Sequence, residues 1–245
     1  MKNREKRKQK EIELFKGKGV FCPLCQSEFK SFAPWFGSKV IENARCPQCE
    51  SMERHRLLWL YLHERTDIFD GGHKRLLHFA PQRFLYNHFF KLPGIEYFPC
   101  DNEPDKYEKN YQGQLFKADI GNLPFENNFF DVIICSHILE HVNDDIKAIS
   151  ELKRVLKNEG WCIVQVPIDL SRKNTWEDFS ITKPEERVKA FGQEDHVRIY
   201  GKDFKERLMN AGFHVNEDHF AETFSVDEVV KYGIDRDEMI YSCTK

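Results

Sequence analysis

Four of the eight cysteines in this 245-residue chain occur in two Cys-x-x-Cys pairs. Each pair can bring two thiolates to one point, and four thiolates at tetrahedral corners are the ligand set that Zn²⁺ prefers. Such a site is structural, because the protein fills every coordination position. A redox-active pair is the alternative, but redox motifs do not come twice at zinc-ribbon spacing. We therefore predict structural Zn²⁺ held by Cys22, Cys25, Cys46 and Cys49.

A second group with metal-binding or acid–base chemistry is His137, Glu140 and His141, which has the form of the inverted zinc-protease signature HxxEH. We expect it at the start of a helix, where positions four apart share one face. A protease is disfavoured because one such helix lacks a third ligand. We expect His137, and next His141, to line a catalytic site and help remove a proton from a substrate. The alternative is that both histidines cap and pack the helix.

The stretch from Phe116 to Val166 predicts how these histidines are positioned. Residues 131–135 form a short apolar run, a pattern with apolar residues every three or four positions follows, and residues 161–166 form a second apolar run. Strand, helix and strand in this order make a βαβ unit, whose strands should be parallel and buried because they are apolar throughout. The carboxyl end of the first strand would open into the crevice where such sheets bind ligands.

Two phrases in this stretch, ADIGNLPFENNFFDVIICSHILEHV and ELKRVLKNEGWCIVQVP, resemble the core of the class I S-adenosylmethionine (SAM)-dependent methyltransferases. The resemblance extends over roughly residues 73–243. It implies an α/β fold, a seven-stranded, mostly parallel, Rossmann-like sandwich, with SAM as the cofactor. The phrase NARCPQCESMERHRLLWLYL, followed by LLHFAP, is similar to a bacterial group of zinc-ribbon methyltransferase-like proteins. A small zinc-ribbon module is therefore expected before the sheet.

The resemblance also implies which residues hold the cofactor. Asp119 would accept a hydrogen bond from the adenine amino group, and the backbone NH of Ile120 would meet a ring nitrogen. Asp101, after the second strand, would bind the ribose, since two adjacent hydroxyl donors suit a bidentate acceptor. An ordinary turn aspartate is the alternative interpretation of Asp101. Cys135 would flank the methionine end of SAM.

The turn after the first strand departs from the family pattern. The family has an acidic residue near the strand end and then a glycine-rich turn, whose glycines let backbone amides approach the methionine part of SAM. Here His78 occupies the acidic position, Ala80 that of the first glycine and Gln82 that of a later one. Ala80 is small enough for close approach, and Gln82 could bind the methionine carboxylate. We expect these three residues around the methionine end.

Two regions provide candidate substrate contacts. A polar, irregular insertion over residues 169–200 is where such enzymes build a substrate lid, and it contains Asp195, His196 and Arg198. These residues could instead anchor the loop. Arg54 and Arg56 begin a helix that we expect Ser51 to cap, and they could bind an anionic group or form a solvated first turn.

Composition and charge narrow the function classes. The net charge of −3 gives no global attraction to nucleic acid or anionic membrane. No apolar run approaches the ~20 residues that a membrane-spanning helix needs. The cysteine usage fits a reducing cytoplasm. We predict a basic leader over residues 1–19, a zinc ribbon over 20–50, a connecting helix and linker over 51–72, and the SAM-dependent methyltransferase domain over 73–245.

The predicted function is SAM-dependent methyl transfer to a small-molecule acceptor. One alternative is an rRNA or tRNA methyltransferase, in which the basic leader contacts RNA phosphates. Another is a non-catalytic adaptor whose altered turn no longer binds SAM. A nicotinamide dehydrogenase is disfavoured because no G-x-G-x-x-G follows the first strand.

Overall fold

The computed structural model describes residues 2–37, 40–106, 111, 113 and 115–245, which divide into two compact units. Unit 1 comprises Met1–Asp70 and His219–Glu238, and unit 2 comprises Gly71–Asp218 and Met239–Lys245. The sequence predicted one continuous domain from residue 73 onwards. Residues 219–238 instead belong to unit 1, where the last helix of the chain packs beside the strand Lys16–Cys22.

The helices and strands are numbered in chain order. The helices are α1 (Lys2–Leu14), α2 (Glu53–Arg65), α3 (Arg83–Phe89), α4 (Asp145–Val155), α5 (Pro184–Phe191), α6 (Phe204–Asn210) and α7 (Val226–Tyr232). The strands are β1 (Lys16–Cys22), β2 (Ser27–Phe29), β3 (Ala33–Phe36), β4 (Val40–Arg45), β5 (Lys74–Phe79), β6 (Ile95–Asp101), β7 (Phe116–Lys117), β8 (Phe130–Ser136), β9 (Leu156–Gln165), β10 (Trp176–Glu177), β11 (Arg198–Ile199), β12 (His214–Asp218) and β13 (Ile240–Thr244).

Unit 2 is built on a seven-stranded sheet in the order β12-β13-β9-β8-β5-β6-β7. The pairings from β9 to β7 are parallel, and β13 runs antiparallel to both of its neighbours. The central strand β8 is apolar because both faces of it are covered, and Val132, Ile133 and Ile134 are fully buried. This sheet, with its flanking helices, is the Rossmann-like fold of the SAM methyltransferases, which confirms the predicted fold class.

The helix between β8 and β9 begins later than the sequence predicted. Strand β8 ends at Ser136, a short 3₁₀ turn covers Leu139–His141, and α4 starts only at Asp145. Asp144 caps this helix by accepting a hydrogen bond from the backbone NH of Lys147 at 3.0 Å. His137 has φ of 56°, a left-handed conformation that no α-helix contains, so the predicted helical spacing of the two histidines is wrong.

Unit 1 contains two small antiparallel hairpins, β1–β2 and β3–β4, together with α1, α2 and α7. Phe29 and Phe32 are buried in it and supply the apolar cover expected for the ribbon, whereas Phe36 is exposed. The expected cap of α2 is wrong. Met52 occupies the N-cap position, and the fully buried Ser51 lies among the cysteines instead.

Within the described part of the chain, no helix has the length and apolarity to span a membrane.

Candidate functional site

A cavity of about 740 Å³ opens in unit 2 at the carboxyl edge of the sheet. The ends of β5, β6 and β8 and the loop after β7 all contribute to its wall. This edge is where open α/β sheets bind ligands, and the volume lies within the range of cofactor pockets. The structure brings seven of the residues predicted from the sequence together around it, namely Ala80, Asp101, Asp119, Ile120, His137, His141 and Asp195.

Asp101 and Asp119 follow neighbouring strands and face the same cavity. Each carboxylate uses Oδ1 to close its own loop. Asp101 Oδ1 accepts from the NH of Glu103 at 2.7 Å, and Asp119 Oδ1 accepts from the NH of Gly121 at 2.8 Å. These turns fix the direction of both side chains and do not use the Oδ2 atoms. Two fixed carboxylates at adjacent strand ends can therefore accept hydrogen bonds from one polar ligand.

The turn at Ala80 keeps the backbone shape that a glycine would adopt. Ala80 has φ of 38°, in the left-handed region that glycine favours, and its NH donates to the carbonyl of Cys100 at 2.7 Å. Its methyl side chain lies on the cavity wall. The replacement of glycine by alanine therefore leaves the tight turn in place.

Three residues predicted to surround the methionine end are not among the residues that line the cavity: His78, Gln82 and Cys135. His78 is buried, with Nδ1 at 3.0 Å from the hydroxyl of Tyr97, and burial lowers its pKa to about 3. Gln82 caps α3, because its Oε1 accepts from the NH groups of Phe84 and Leu85. Cys135 is fully buried in the core, where burial raises the pKa of its thiol. These residues have structural roles, since inward packing and helix capping occupy them.

The turn after β8 places His137, Glu140 and His141 close together. Glu140 is 1% exposed, and its Oε1 lies 3.3 Å from Nδ1 of His137. Burial would raise the pKa of Glu140, but the hydrogen bond from His137 and the charges of both histidines hold that pKa below its usual value. Glu140 is therefore a buried carboxylate next to two histidines that line the cavity.

The predicted substrate contacts in the 169–200 insertion divide into two kinds. Asp195 is largely exposed, lines the cavity, and has Oδ2 3.3 Å from Nδ1 of His141. His196 is buried and packs edge-on against His141, with the ring centroids 4.7 Å apart. Arg198 is 1% exposed and donates to the backbone carbonyls of residues 139, 142 and 143 and to the carboxylate of Glu177. Arg198 is thus a buried structural residue, not the substrate contact that the sequence suggested.

The two arginines at the start of α2 also differ from each other. Arg54 is partly exposed, and its contact with an anionic group stays a prediction. Arg56 is fully buried and donates to four backbone carbonyls, those of Ala44, Ser51, Tyr232 and Gly233, while its guanidinium stacks 3.9 Å above the ring of Phe32. Its donors are engaged inside unit 1, so the predicted role of Arg56 as a substrate contact is wrong.

The four cysteines predicted as metal ligands form one cluster. Cys22 and Cys49 have their sulfurs 3.5 Å apart, and the sulfurs of Cys25 and Cys46 are 3.7 Å apart. The residue after each Cys-x-x-Cys pair, Gln26 in one and Glu50 in the other, adopts a left-handed conformation, with φ of 55° and 64°. The two pairs therefore form matching turns that present their thiols to a common point.

Several residues of the cavity were not predicted from the sequence. Lys147 on α4 and Arg187 on α5 contribute positive charge to its wall, and Asn102 and Glu103 extend the polar edge beside Asp101. The two cations occupy ordinary amphipathic helices, so their positions in the sequence carry no signal of a site. Glu140 belongs to the HxxEH phrase, so the sequence did indicate it, but a catalytic role was predicted only for the two histidines.

Comparison with known proteins agrees with this geometry. Residues 87–164 match the family described as Methyltransferase domain. The chain is 41% identical over 85 residues to an uncharacterized protein of Methanocaldococcus jannaschii, covering 34% of this chain and 37% of that protein. It is 37% identical over 51 residues to the ubiquinone/menaquinone biosynthesis C-methyltransferase UbiE of Coxiella burnetii. That match covers 21% of this chain and 20% of UbiE. The chain thus covers only about a third of the length of the first relative and about a fifth of the length of the second.

The fold is also similar to that of a solved SAM-dependent methyltransferase from Mesorhizobium loti. The TM-score is 0.56 at 12% sequence identity, over 77% of this chain and 98% of the other. The family match and the similarity to UbiE agree with the predicted enzyme class, a SAM-dependent methyltransferase, and the solved structure shows that the fold is shared.

Proposed function

We propose that unit 2 binds SAM in the cavity and transfers its methyl group to a small-molecule acceptor. The observation that carries this proposal is the placement of Asp101 and Asp119 on one cavity wall, at the ends of neighbouring strands. Asp101 would accept from the ribose hydroxyls and Asp119 from the adenine amino group, each through the oxygen that its turn leaves unused. The backbone at Ile120 would meet the adenine ring, and the tight turn at Ala80 would approach the methionine end.

Methyl transfer requires the protein mainly to position the acceptor and SAM. SAM supplies an electrophilic methyl group, so the rate depends on holding the acceptor in line with it. His137 lines the same cavity, and its ring is oriented by the buried carboxylate of Glu140 at 3.3 Å. We assign to His137 the removal of a proton from the acceptor. His141 lies beside it on the cavity wall and is the second candidate for this role.

Two features support an acceptor of small size. The cavity has a volume of about 740 Å³, in the range of small-molecule sites, and the net charge of the chain is −3, which does not favour a polyanion such as RNA. Lys147 and Arg187 supply local positive charge within the pocket. An acceptor with an anionic or strongly polar group would match these side chains.

We also propose that the four-cysteine cluster of unit 1 holds one structural Zn²⁺. Four thiolates 2.3 Å from a tetrahedral zinc lie about 3.8 Å from one another, close to the observed sulfur separations of 3.5 and 3.7 Å. The hydroxyl oxygen of Ser51 lies 3.2 Å from the sulfur of Cys49 and 3.4 Å from that of Cys22, so the hydroxyl can donate a hydrogen bond to a zinc-bound thiolate.

Replacement of Asp119 tests the adenine contact. We expect Asp119→Ala to weaken SAM binding by roughly tenfold or more, because a charge-assisted hydrogen bond is lost and the adenine amino group is left without its acceptor. The affinity is measured by isothermal titration calorimetry. The matched control is Asp178→Ala, since Asp178 closes an equivalent turn by accepting from the NH of Ser180 at 2.9 Å but is not among the residues that line the cavity. Equal SAM affinities for the two variants would refute the assignment of Asp119.

A further inference from the structure

Three potential metal ligands from two separate segments meet beside the cavity. Glu140 and His141 belong to the turn after β8, and His196 comes from the loop before β11. One ligand atom from each of the three lies within 4.8 Å of the other two. His141 itself lines the cavity, while Glu140 and His196 are 1% and 6% exposed. The HxxEH phrase alone offered no third ligand, and the fold supplies one 55 residues further along the chain.

The carboxylate of Glu140 has an unused oxygen. Its Oε1 lies against His137, but within the described residues its Oε2 is buried without any hydrogen-bond partner. A buried carboxylate oxygen that has lost water and gained no donor carries a desolvation cost that nothing compensates. A cation bound at this oxygen would remove that cost, because it replaces the missing donor.

The rings of both histidines are held by their neighbours. His141 Nδ1 lies 3.3 Å from the carboxylate of Asp195, and the buried His196 packs edge-on against His141 with the ring centroids 4.7 Å apart. Histidines that bind metals are usually held as His141 is, with the second nitrogen bonded to a carboxylate or carbonyl and the first directed at the ion. The arrangement therefore fixes two imidazoles beside one carboxylate.

The two segments are held together by the buried Arg198. Its guanidinium donates to the carbonyls of Leu139 and Asn143 at 2.7 and 2.9 Å, and also to that of Val142. The NH of Val197 donates to the carbonyl of Glu140 at 2.9 Å. These bonds tie the loop that carries His196 to the turn that carries the other two ligands, so the three side chains are preorganised without the ion.

We propose that Glu140, His141 and His196 form a binding site for a divalent first-row transition metal at the edge of the cavity. Ligands 2.0–2.2 Å from one ion lie about 3.0–3.5 Å apart. Because the three ligand atoms lie within 4.8 Å of one another, they need to close in by at most about 1.3–1.8 Å. Two imidazoles and one carboxylate leave coordination positions open, which is typical of metal sites that bind a substrate and not of closed structural ones.

The place of the proposed site at the edge of the cavity suggests a role for the ion in binding the acceptor. His141 lines the cavity, so if the methyl-transfer function proposed above is correct, an open position of the ion would take an oxygen or nitrogen donor of the acceptor. A coordinated hydroxyl loses its proton more readily, and the metal also fixes its orientation. This role depends on the proposed function, whereas the metal site itself does not.

Titration with Mn²⁺ alone tests the site. Mn²⁺ prefers imidazole and carboxylate to thiolate, so it leaves the zinc-loaded cysteine cluster untouched. Loss of the free Mn²⁺ signal in electron paramagnetic resonance is measured on the full-length protein without SAM. We expect one saturable site in the wild type, and an affinity lower by roughly tenfold or more in Glu140→Gln and in His196→Gln. The control is His214→Gln, which removes an exposed histidine on β12 and should bind as the wild type does.

If Glu140→Gln and His196→Gln disturb folding, the variant Asp195→Asn still tests the metal site. Asp195 is 63% exposed, so its replacement is tolerated structurally, and removing the carboxylate that orients His141 should weaken Mn²⁺ binding by up to about tenfold. Absence of a saturable site in the wild type, or equal affinities in all variants, would overturn the proposal. Because SAM binding is measured separately, a metal-free protein that still binds SAM would leave the methyltransferase proposal standing.

Discussion

Removal of zinc from the four-cysteine cluster is expected to unfold the ribbon of unit 1. A structural Zn²⁺ contributes about 10–16 kcal/mol to the folding of a small module, far more than the few buried aromatic residues there can provide. Treatment with a strong chelator, or the substitution Cys46→Ser, should therefore abolish the hairpins β1–β2 and β3–β4. The zinc content is measured with a metallochromic dye, and the loss of structure by circular dichroism.

The matched control for Cys46→Ser is Cys162→Ala. Cys162 is also fully buried, but it lies in β9 of the central sheet and not in the cluster. We expect this variant to lose packing energy and to keep one equivalent of zinc. If the purified protein contains no zinc, or if Cys46→Ser retains a full equivalent, the cysteines do not form the proposed site.

The second large effect is expected for Arg198→Met. Arg198 is fully buried, donates to Glu177 at 2.9 Å, and lies 3.7 Å from the buried carboxylate of Asp145. Its removal leaves backbone carbonyls of the turn after β8 without donors and Glu177 without its arginine. Breaking a buried ion pair from one side costs about 3–5 kcal/mol, which lowers the melting temperature of a domain of this size by roughly 6–20 °C.

Thermal unfolding monitored by circular dichroism measures this effect. Arg172→Met is the control, because Arg172 forms a comparable pair with Asp169 at 3.0 Å but both side chains are more than a third exposed. That surface pair should contribute little to stability, because water screens the two charges. If Arg198→Met melts within a degree or two of the wild type, Arg198 does not hold the two segments together.

The sheet and the nucleotide edge of the cavity were predictable from the sequence. Apolar runs such as residues 131–135 and 161–166 are too short for helices and too continuous for half-exposed strands, so their pattern specifies buried parallel strands. Asp101 ends β6, and Asp119 comes two residues after β7. Since parallel strands end at one edge of the sheet, their meeting at the cavity follows from topology alone.

The buried arginines were not predictable in the same way. Charged residues are rarely fully buried, so Arg56 and Arg198 were interpreted as ligand contacts at the surface. Their actual partners are mostly backbone carbonyls, which any sequence provides at every position. Arg56 reaches carbonyls more than 170 residues away, and no local pattern identifies which distant segment will return to meet it.

The grouping of His196 with Glu140 and His141 was missed for a related reason. The sequence showed a helical spacing for His137 and His141, but the left-handed backbone at His137 breaks that spacing. The third potential ligand is instead brought in by the loop that Arg198 anchors. His78 was assigned to the cofactor because it occupies the acidic position of the family pattern, but its side chain is buried next to the hydroxyl of Tyr97.

The central claim is that the cavity beside Asp101 and Asp119 binds the adenosine part of SAM although the turn at Ala80 lacks its usual glycine. Calorimetric titration of the wild-type protein with S-adenosylhomocysteine tests this most directly, since that molecule keeps the whole nucleoside and needs no acceptor. We predict saturable binding of one molecule per chain, weakened in Asp119→Ala and unchanged in Asp178→Ala. If neither S-adenosylhomocysteine nor SAM gives binding heat at any accessible concentration, the claim is contradicted. The protein would then have a methyltransferase fold that no longer binds the cofactor.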